Sequence, residues 1–346
     1  MNSRAYWGAA LAALIFLLVQ LGALALVPTF DAAGYQTIED PSDPTNSLLY
    51  IGAILVMTAL MLAAFKYNLD QVVRGIIVLT SGMLAWYVFS VVAPPIVAVG
   101  LAALVSLALL VYPEWYVIDT AGVLMGAGAA GLFGISFGLL PAVVLLALLA
   151  VYDAISVYGT EHMLDLAEGV MDLNIPVVLV IPLTLSYSLL DDRVAETTGS
   201  DSDTATDGSG KDASTESKDE AVETSSTETA TDESRGEAVS PDAVDRDAFF
   251  IGLGDAVMPT VMVASAAFFL DAGNLGLAVL PALNLAALLA MVGTFLGLGV
   301  LLWLVMKGRA HAGLPLLNGG AIGGYLLGAV LSGVSLIEAL GLGPYL

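Results

Sequence analysis

Cysteine is absent from the 346 residues, which removes disulfides, thiolate metal sites and a thiol nucleophile from consideration. Charge is scarce: Asp, Glu, Lys and Arg make up 12% of the chain, against about a quarter of an ordinary soluble domain. Basic residues number 10 against 33 acidic ones, for a net charge of −23. That imbalance argues against nucleic acid or anionic lipid headgroups as partners, because both require clustered Lys and Arg. The two histidines, His162 and His311, are far apart and lack further ligands, so no metal site and no cofactor are expected. Ser81, Ser90, Ser106, Ser136 and Ser156 are scattered, with no Lys or His at membrane depth to activate a serine nucleophile.

What the chain has in abundance is apolar side chains, 58% of the total, and they come in runs. A bilayer core of roughly 30 Å takes about 20 helical residues. Runs of that order extend over Trp7 to Val27, Leu48 to Phe65, Val72 to Val92, Pro95 to Tyr112, Trp115 to Phe137, Leu139 to Tyr158, Ala248 to Leu270, Leu275 to Met306 and Leu314 to Ile337. They predict an all-α polytopic membrane protein with nine transmembrane helices, six plus three. The first run has an alternative reading as a signal peptide, with Arg4 before it and Ala23-Leu24-Ala25 resembling a cleavage site. Its length exceeds the 7–15 apolar residues usual for that role.

A further apolar stretch, Ile175 to Leu190, would make a tenth span, and the basic residues decide against it. Lys and Arg accumulate in cytoplasmic loops. Nine spans with a cytoplasmic N-terminus place all ten of them inside, whereas ten spans leave only Arg4, Lys66 and Arg74 there. Ile175 to Leu190 carries Pro176, Pro182 and the β-branched run Val177 to Ile181, which suits an extended segment. Thr160 to Leu173 alternates apolar and acidic residues at helical spacing, as an amphipathic helix at the inner surface does. The acid excess is concentrated in residues 191–247, with 18 acidic and 5 basic residues and almost no large apolar side chain. That segment is expected to be a disordered cytoplasmic loop. It divides the chain into residues 1–190, with the inner helix 160–173 and the extended segment 175–190, and residues 248–346. The acidity also fits a high-salt habitat.

Two carboxylates interrupt the apolar runs. Asp153 follows Tyr152 in the sixth, and Asp255 ends Gly252-Leu253-Gly254-Asp255 in the seventh. An ionised Asp at the centre of a membrane helix costs roughly 2.5–3.5 kcal/mol, so such residues usually face a watery interior and perform chemistry or ion handling. In the nine-span topology Asp153 lies five residues before the inner end of its span and Asp255 seven after the inner end of its own. At 1.5 Å per residue these depths are roughly 8 and 10 Å, which allows the two to face each other. Facing acids share a proton, and the resulting acid and base form the constellation of an aspartic protease. Gly252 and Gly254 clear side chains from beside Asp255, allowing close approach of a helix or a substrate backbone.

The order of these motifs resembles the presenilin and signal peptide peptidase family of intramembrane GxGD aspartyl proteases. The family's third motif is Pro-Ala-Leu. The literal match, Pro281-Ala282-Leu283, sits early in the eighth run and near the outer side. Pro315-Leu316-Leu317 opens the ninth span from the inside, where the family carries its motif, although Leu316 replaces the family's Ala. The resemblance implies proteolysis within the membrane by an Asp153/Asp255 dyad. Tyr152, Gly252, Leu253, Gly254, Pro315, Leu316 and Leu317 would support the site or bind substrate. Single-span membrane proteins, membrane peptides or signal-peptide remnants would be the substrates. A helical substrate must unwind before water can attack it, and the segment Ile175 to Pro182 offers an edge for strand addition.

The expected location is the cell membrane, in contact with the bilayer, with the N-terminus and the 191–247 loop cytoplasmic, the C-terminus outside, and a homo-oligomer as an option. Two competing functions use the same residues. A transporter would bind a proton or cation at Asp153 and Asp255; a prepilin-peptidase type of protease would hold its acids closer to the cytoplasm. Among other polar residues, Asp119 is expected to be an interfacial acid or cap, Asn284 to bond across helices and Glu338 to reach solvent. Gly122, Gly126, Gly128, Gly131 and Gly134 are expected to form one small-residue packing face.

Overall fold

A computed structural model describes residues 3–159, 178–184, 187–189, 248–307 and 312–343. Segment 160–173, the acidic loop 191–247, His162 and His311 lie outside them. Six helices come first: α1 Ser3–Ala32, α2 Thr45–Lys66, α3 Asp70–Val92, α4 Pro95–Val111, α5 Trp115–Ser136 and α6 Leu139–Gly159. Strands β1 Val178–Pro182 and β2 Ala248–Gly252 follow, then α7 Leu253–Phe269, α8 Leu285–Val305, α9 Gly313–Leu331 and the short α10 Leu336–Ala339. Among the described residues, seven helices are long and apolar enough to cross a membrane: α1, α2, α3, α5, α6, α8 and α9. The other two apolar helices, α4 and α7, have 17 residues each.

The last three apolar runs are shorter as helices than the hydropathy suggested, each for a local reason. Ala248 to Gly252 leaves the seventh run to become a strand, as its Phe-Phe-Ile core favours, and Gly252 is at once the end of β2 and the N-cap of α7. In the eighth, Gly276 turns the chain at positive φ and the helix waits for Asn284. Asn284 accepts from the Ala287 N–H at 2.8 Å as an N-cap, and donates to the carbonyls of Ala266 and Leu270 at the end of α7. The expected bond across helices is therefore present, made by a capping residue. The ninth ends at Leu331, where Gly333 at φ +82 closes the helix. The N–H groups of Gly333 and Val334 bond back to Val330 and Ala329, satisfying carbonyls left over at the helix end.

Helices α1, α5, α7, α8 and α9 form the centre. Within the stretch that resembles a cleavage site, Ala23 and Leu24 are fully buried in the core and Ala25 is exposed. The α5 glycines do not make a single face. Gly126 lies against Val19 of α1 and Leu253 of α7, Gly131 against Phe30 of α1 and Gly134 against Ala264 of α7, whereas Gly128 meets Val88 of α3. Helix α5 is thus a post with neighbours on two sides. The closest approach is between α8 and α9: a Cβ on Gly293 would overlap the Gly320 carbonyl, and one on Gly320 would overlap that of Gly293. Backbones that touch in this way maximise dispersion where lipid offers no hydrophobic drive.

The strands form an antiparallel pair with Val178 opposite Gly252, Val180 opposite Phe250 and Pro182 opposite Ala248. Alternation gives the sheet two apolar faces. Leu179, Ile181, Phe249 and Ile251 pack with Ala12 and Ile15 of α1. Val180 and Ala248 pack with Val78, Leu109 and Ile118 from α3, α4 and α5. The strand pair is wedged into one end of the bundle.

Candidate active site

Asp153 lies on the last two turns of α6 and Asp255 is the third residue of α7. The strand pair fixes where Asp255 stands, because β2 passes into α7 with no intervening loop. Asp153 is 7% exposed, and its Oδ2 accepts from the backbone N–H of Leu314 at 3.0 Å. Asp255 reaches the same helix start from the other side: a Cβ on Gly313 would stand 3.4 Å from its Oδ2. The two acids therefore converge on the first residues of α9.

That convergence has a physical basis in helix termini. The first N–H groups of a helix lack intrahelical acceptors, and the N-terminus carries about half a positive charge. Leu314 supplies one such donor to Asp153, and Asp255 occupies the first turn of α7. Two helix N-termini thus face a pair of carboxyls. Pro315, at the third position of α9, offers no N–H and has its φ preset for a helix start. Leu317 is fully buried beside Phe16, Val19, Leu298 and Leu301, and the Leu316 backbone lies against Gly297 of α8. The Pro315 to Leu317 segment is thus clamped from α1 and α8. Pro281 precedes α8, within the turn segment that leads to Asn284 and away from the acids.

Beside Asp255 is a cavity of about 180 Å³ lined by Phe249 to Gly252, Ala9, Gly313 and the Leu301 to Met306 end of α8. Asp255 is its one ionisable lining residue. Gly252 and Gly254 are exposed, and no atom lies within 4 Å of where a Gly254 Cβ would be. Leu253 points the other way, into the core against Gly126. Tyr152 is exposed on α6.

Sequence reasoning missed three contributors. Tyr158 accepts a long hydrogen bond, 3.4 Å, from the N–H of Ala312 just before α9; a Tyr five residues after an Asp carries no helical-face signal. Gly313 leaves space where a side chain would crowd Asp255. Pro259 lies inside α7, and its missing N–H leaves the Asp255 carbonyl without its i+4 donor. Among the described residues, no group of three or more His, Asp or Glu side chains is gathered to hold a metal ion. The arrangement can take a proton from water at one carboxyl and give one at the other.

Comparison with known proteins agrees with this geometry. The family model described as signal-peptide peptidase, presenilin aspartyl protease matches residues 13–334. Two solved structures of a presenilin family intramembrane aspartate protease, in C222 and P2 crystal forms, are similar to the chain. The first has 31% identity, covering 93% of this chain and 99% of that one, with a TM-score of 0.58. The second has 32% identity, covering 92% and 96%, with a TM-score of 0.56. No curated protein matched the chain significantly. The transporter reading finds no support in these likenesses. With nearly its whole length matched, and two carboxyls converging at the start of α9, this multi-pass membrane protein belongs to the signal peptide peptidase and presenilin family of intramembrane aspartyl proteases.

Proposed function

We propose that Asp153 and Asp255 are the catalytic dyad of this protease. The observation that carries the reading is the meeting of both carboxyls at Gly313 and Leu314. Carboxyls this close share one proton. The ionised member takes a proton from water as the water oxygen attacks the scissile carbonyl, and the protonated member gives its proton to the carbonyl oxygen. The tetrahedral diol then collapses as the protonated member gives its proton to the departing amine and the ionised member takes one from a diol hydroxyl, which leaves one proton on the pair as before. The Leu314 N–H holds Asp153 in place, and the cavity beside Asp255 has room for substrate next to β2.

The substrate is a single-span membrane protein or peptide whose helix unwinds at the site. The expectation that Ile175 to Pro182, of which residues 175–177 lie outside the described ones, receives the unwound strand shifts by one strand. One side of β1 pairs with β2, and Asp119 takes the Val180 N–H on the other. Among the described residues, the far edge of β2 makes no backbone hydrogen bond to another element, so strand addition falls to β2. Helices α4 and α7, at about 25 Å each, meet the lower limit for a span, and β2 extends the seventh crossing. Counting them gives nine crossings with the basic residues cytoplasmic. The cell membrane is then cut into from its cytoplasmic side, with Pro315 beside the dyad and the C-terminus outside.

The test is cleavage of a labelled single-span peptide by detergent-purified protein. Asp153→Asn and Asp255→Asn should each lower kcat by about 10²–10⁴-fold, the range for a positioned acid or base, while the protein elutes and melts as wild type. Cleavage undiminished by either substitution would overturn the dyad.

A further inference from the structure

A further buried carboxylate lies at the same end of the bundle, outside the dyad. Asp119, on the first turns of α5, is 7% exposed. Its Oδ1 accepts from the Val180 N–H at 2.8 Å, and its Oδ2 has no partner among the described residues. It does not cap its own helix, as an acid near a helix start would be expected to do. Its neighbours on α5 also reach across: Glu114 accepts from the Ser188 hydroxyl at 2.7 Å and the Leu189 N–H at 3.2 Å, and the Trp115 indole donates to the Tyr187 carbonyl at 3.0 Å. Residues 180 to 189 are thereby tied to one helix end at four points.

The tie leads to the dyad through covalent and ladder bonds alone. Val180 stands opposite Phe250, β2 ends at Gly252, and Asp255 is three residues further on the same rigid path. No other hydrogen bond from a described helix reaches the outer edge of β1. We infer that Asp119 is a positioning residue for the proteolytic reaction: its carboxylate holds the outer edge of β1, and through the β1–β2 ladder it sets where Asp255 and the substrate-facing edge of β2 stand. The inference rests on the dyad reading. Placement errors of about 1 Å cost on the order of 10²-fold in rate, so a tether acting at one remove should show in kcat and in the choice of bond cut.

The experiment compares Asp119→Ala, Asp119→Asn and Val180→Pro with wild type on a labelled single-span peptide, reading kcat, KM, product masses and melting temperature in detergent. Asp119→Ala removes the acceptor. It should lower kcat about 10–100-fold with KM within about threefold, and spread cleavage to neighbouring bonds. Asp119→Asn keeps an acceptor oxygen and should restore kcat to within about fivefold of wild type, with the wild-type cut. Val180→Pro removes the donor on the outward side of an edge strand, where Pro is tolerated, and should reproduce the spread of products with Asp119 intact.

Asp119→Ala that stays folded and keeps wild-type kcat and products would overturn the inference. Equal loss in folded Ala and Asn variants would also do so, since the charge and not the tether would then matter. If the Ala variant does not fold, a folded Val180→Pro with unchanged kcat and products would overturn it alone. Asp255→Asn, run alongside, separates the cases: activity remaining there would remove the dyad reading itself.

Discussion

Helices α2 and α8 have nearly the same length, 22 and 21 residues, and equal apolarity, yet they occupy opposite environments. Ser47 is the one buried residue of α2, and Leu48, Leu49, Val56, Met57 and Leu60 are all more than half exposed. Helix α8 buries Ala286, Ala287, Ala290, Gly293, Thr294 and Gly297. Apolarity does not distinguish them, because a bilayer accepts leucine as readily as a protein core does. Small residues at helical spacing do, since they let backbones touch. Gly52 of α2 has open space around it, whereas Gly293 of α8 faces the α9 backbone. The contrast bears on the proposed dyad, because α8 packs on α9 and the start of α9 bonds Asp153 and lies beside Asp255.

Substitutions on the two helices should separate accordingly. Gly293→Leu forces a side chain into the α9 backbone, a case beyond the 1–3 kcal/mol usual for overpacking. It should abolish cleavage and lower the melting temperature sharply, while Gly52→Leu changes neither; equal behaviour of the pair would break the comparison. Leu298→Ala on α8 empties a site that is 1% exposed and should cost about 2 kcal/mol or more, measured by thermal or denaturant unfolding in detergent. Leu49→Ala on α2 should be silent in the same assay.

Two further changes probe the end of α9 directly. Gly313→Ala puts a methyl 3.4 Å from the Asp255 Oδ2 and from Leu301, ordinary contact for stability but an intrusion into the cavity. A fall in kcat/KM of about tenfold at unchanged melting temperature is expected; a shifted melting temperature would place the effect in packing instead. Tyr158→Phe removes the acceptor of a long bond to Ala312. At 1 kcal/mol or less it should lower kcat by no more than about fivefold.

The parts of the molecule that announced themselves in the sequence are those governed by local rules. Runs of apolar residues between charges mark helices because the backbone must satisfy itself in lipid, and α2 to α6 begin and end within about three residues of the expected positions. Asp153 and Asp255 stood out because an acid is expensive there. Ala248 to Gly252 did not, because Ala-Phe-Phe-Ile-Gly reads as the start of a span until β1, some 70 residues earlier, claims it as a partner. Asp119 was equally hidden: nothing near it in the chain signals that it receives the Val180 N–H. Tyr152 shows the converse, a residue adjacent to Asp153 in the chain and yet exposed.

The sequence alone determined that this is a multi-pass membrane protein with two costly aspartates flanking an acidic loop, and that Pro315 and not Pro281 opens the helix that follows them. These follow from transfer energies and helix geometry, which act residue by residue. Only the tertiary structure decided that Asp153 takes an N–H at the start of α9 with Asp255 beside Gly313, that an antiparallel strand pair joins the two halves, and that α8 and α9 are locked by Gly293 and Gly320. Those contacts depend on backbones approaching across long sequence separations, a distance that no local pattern encodes.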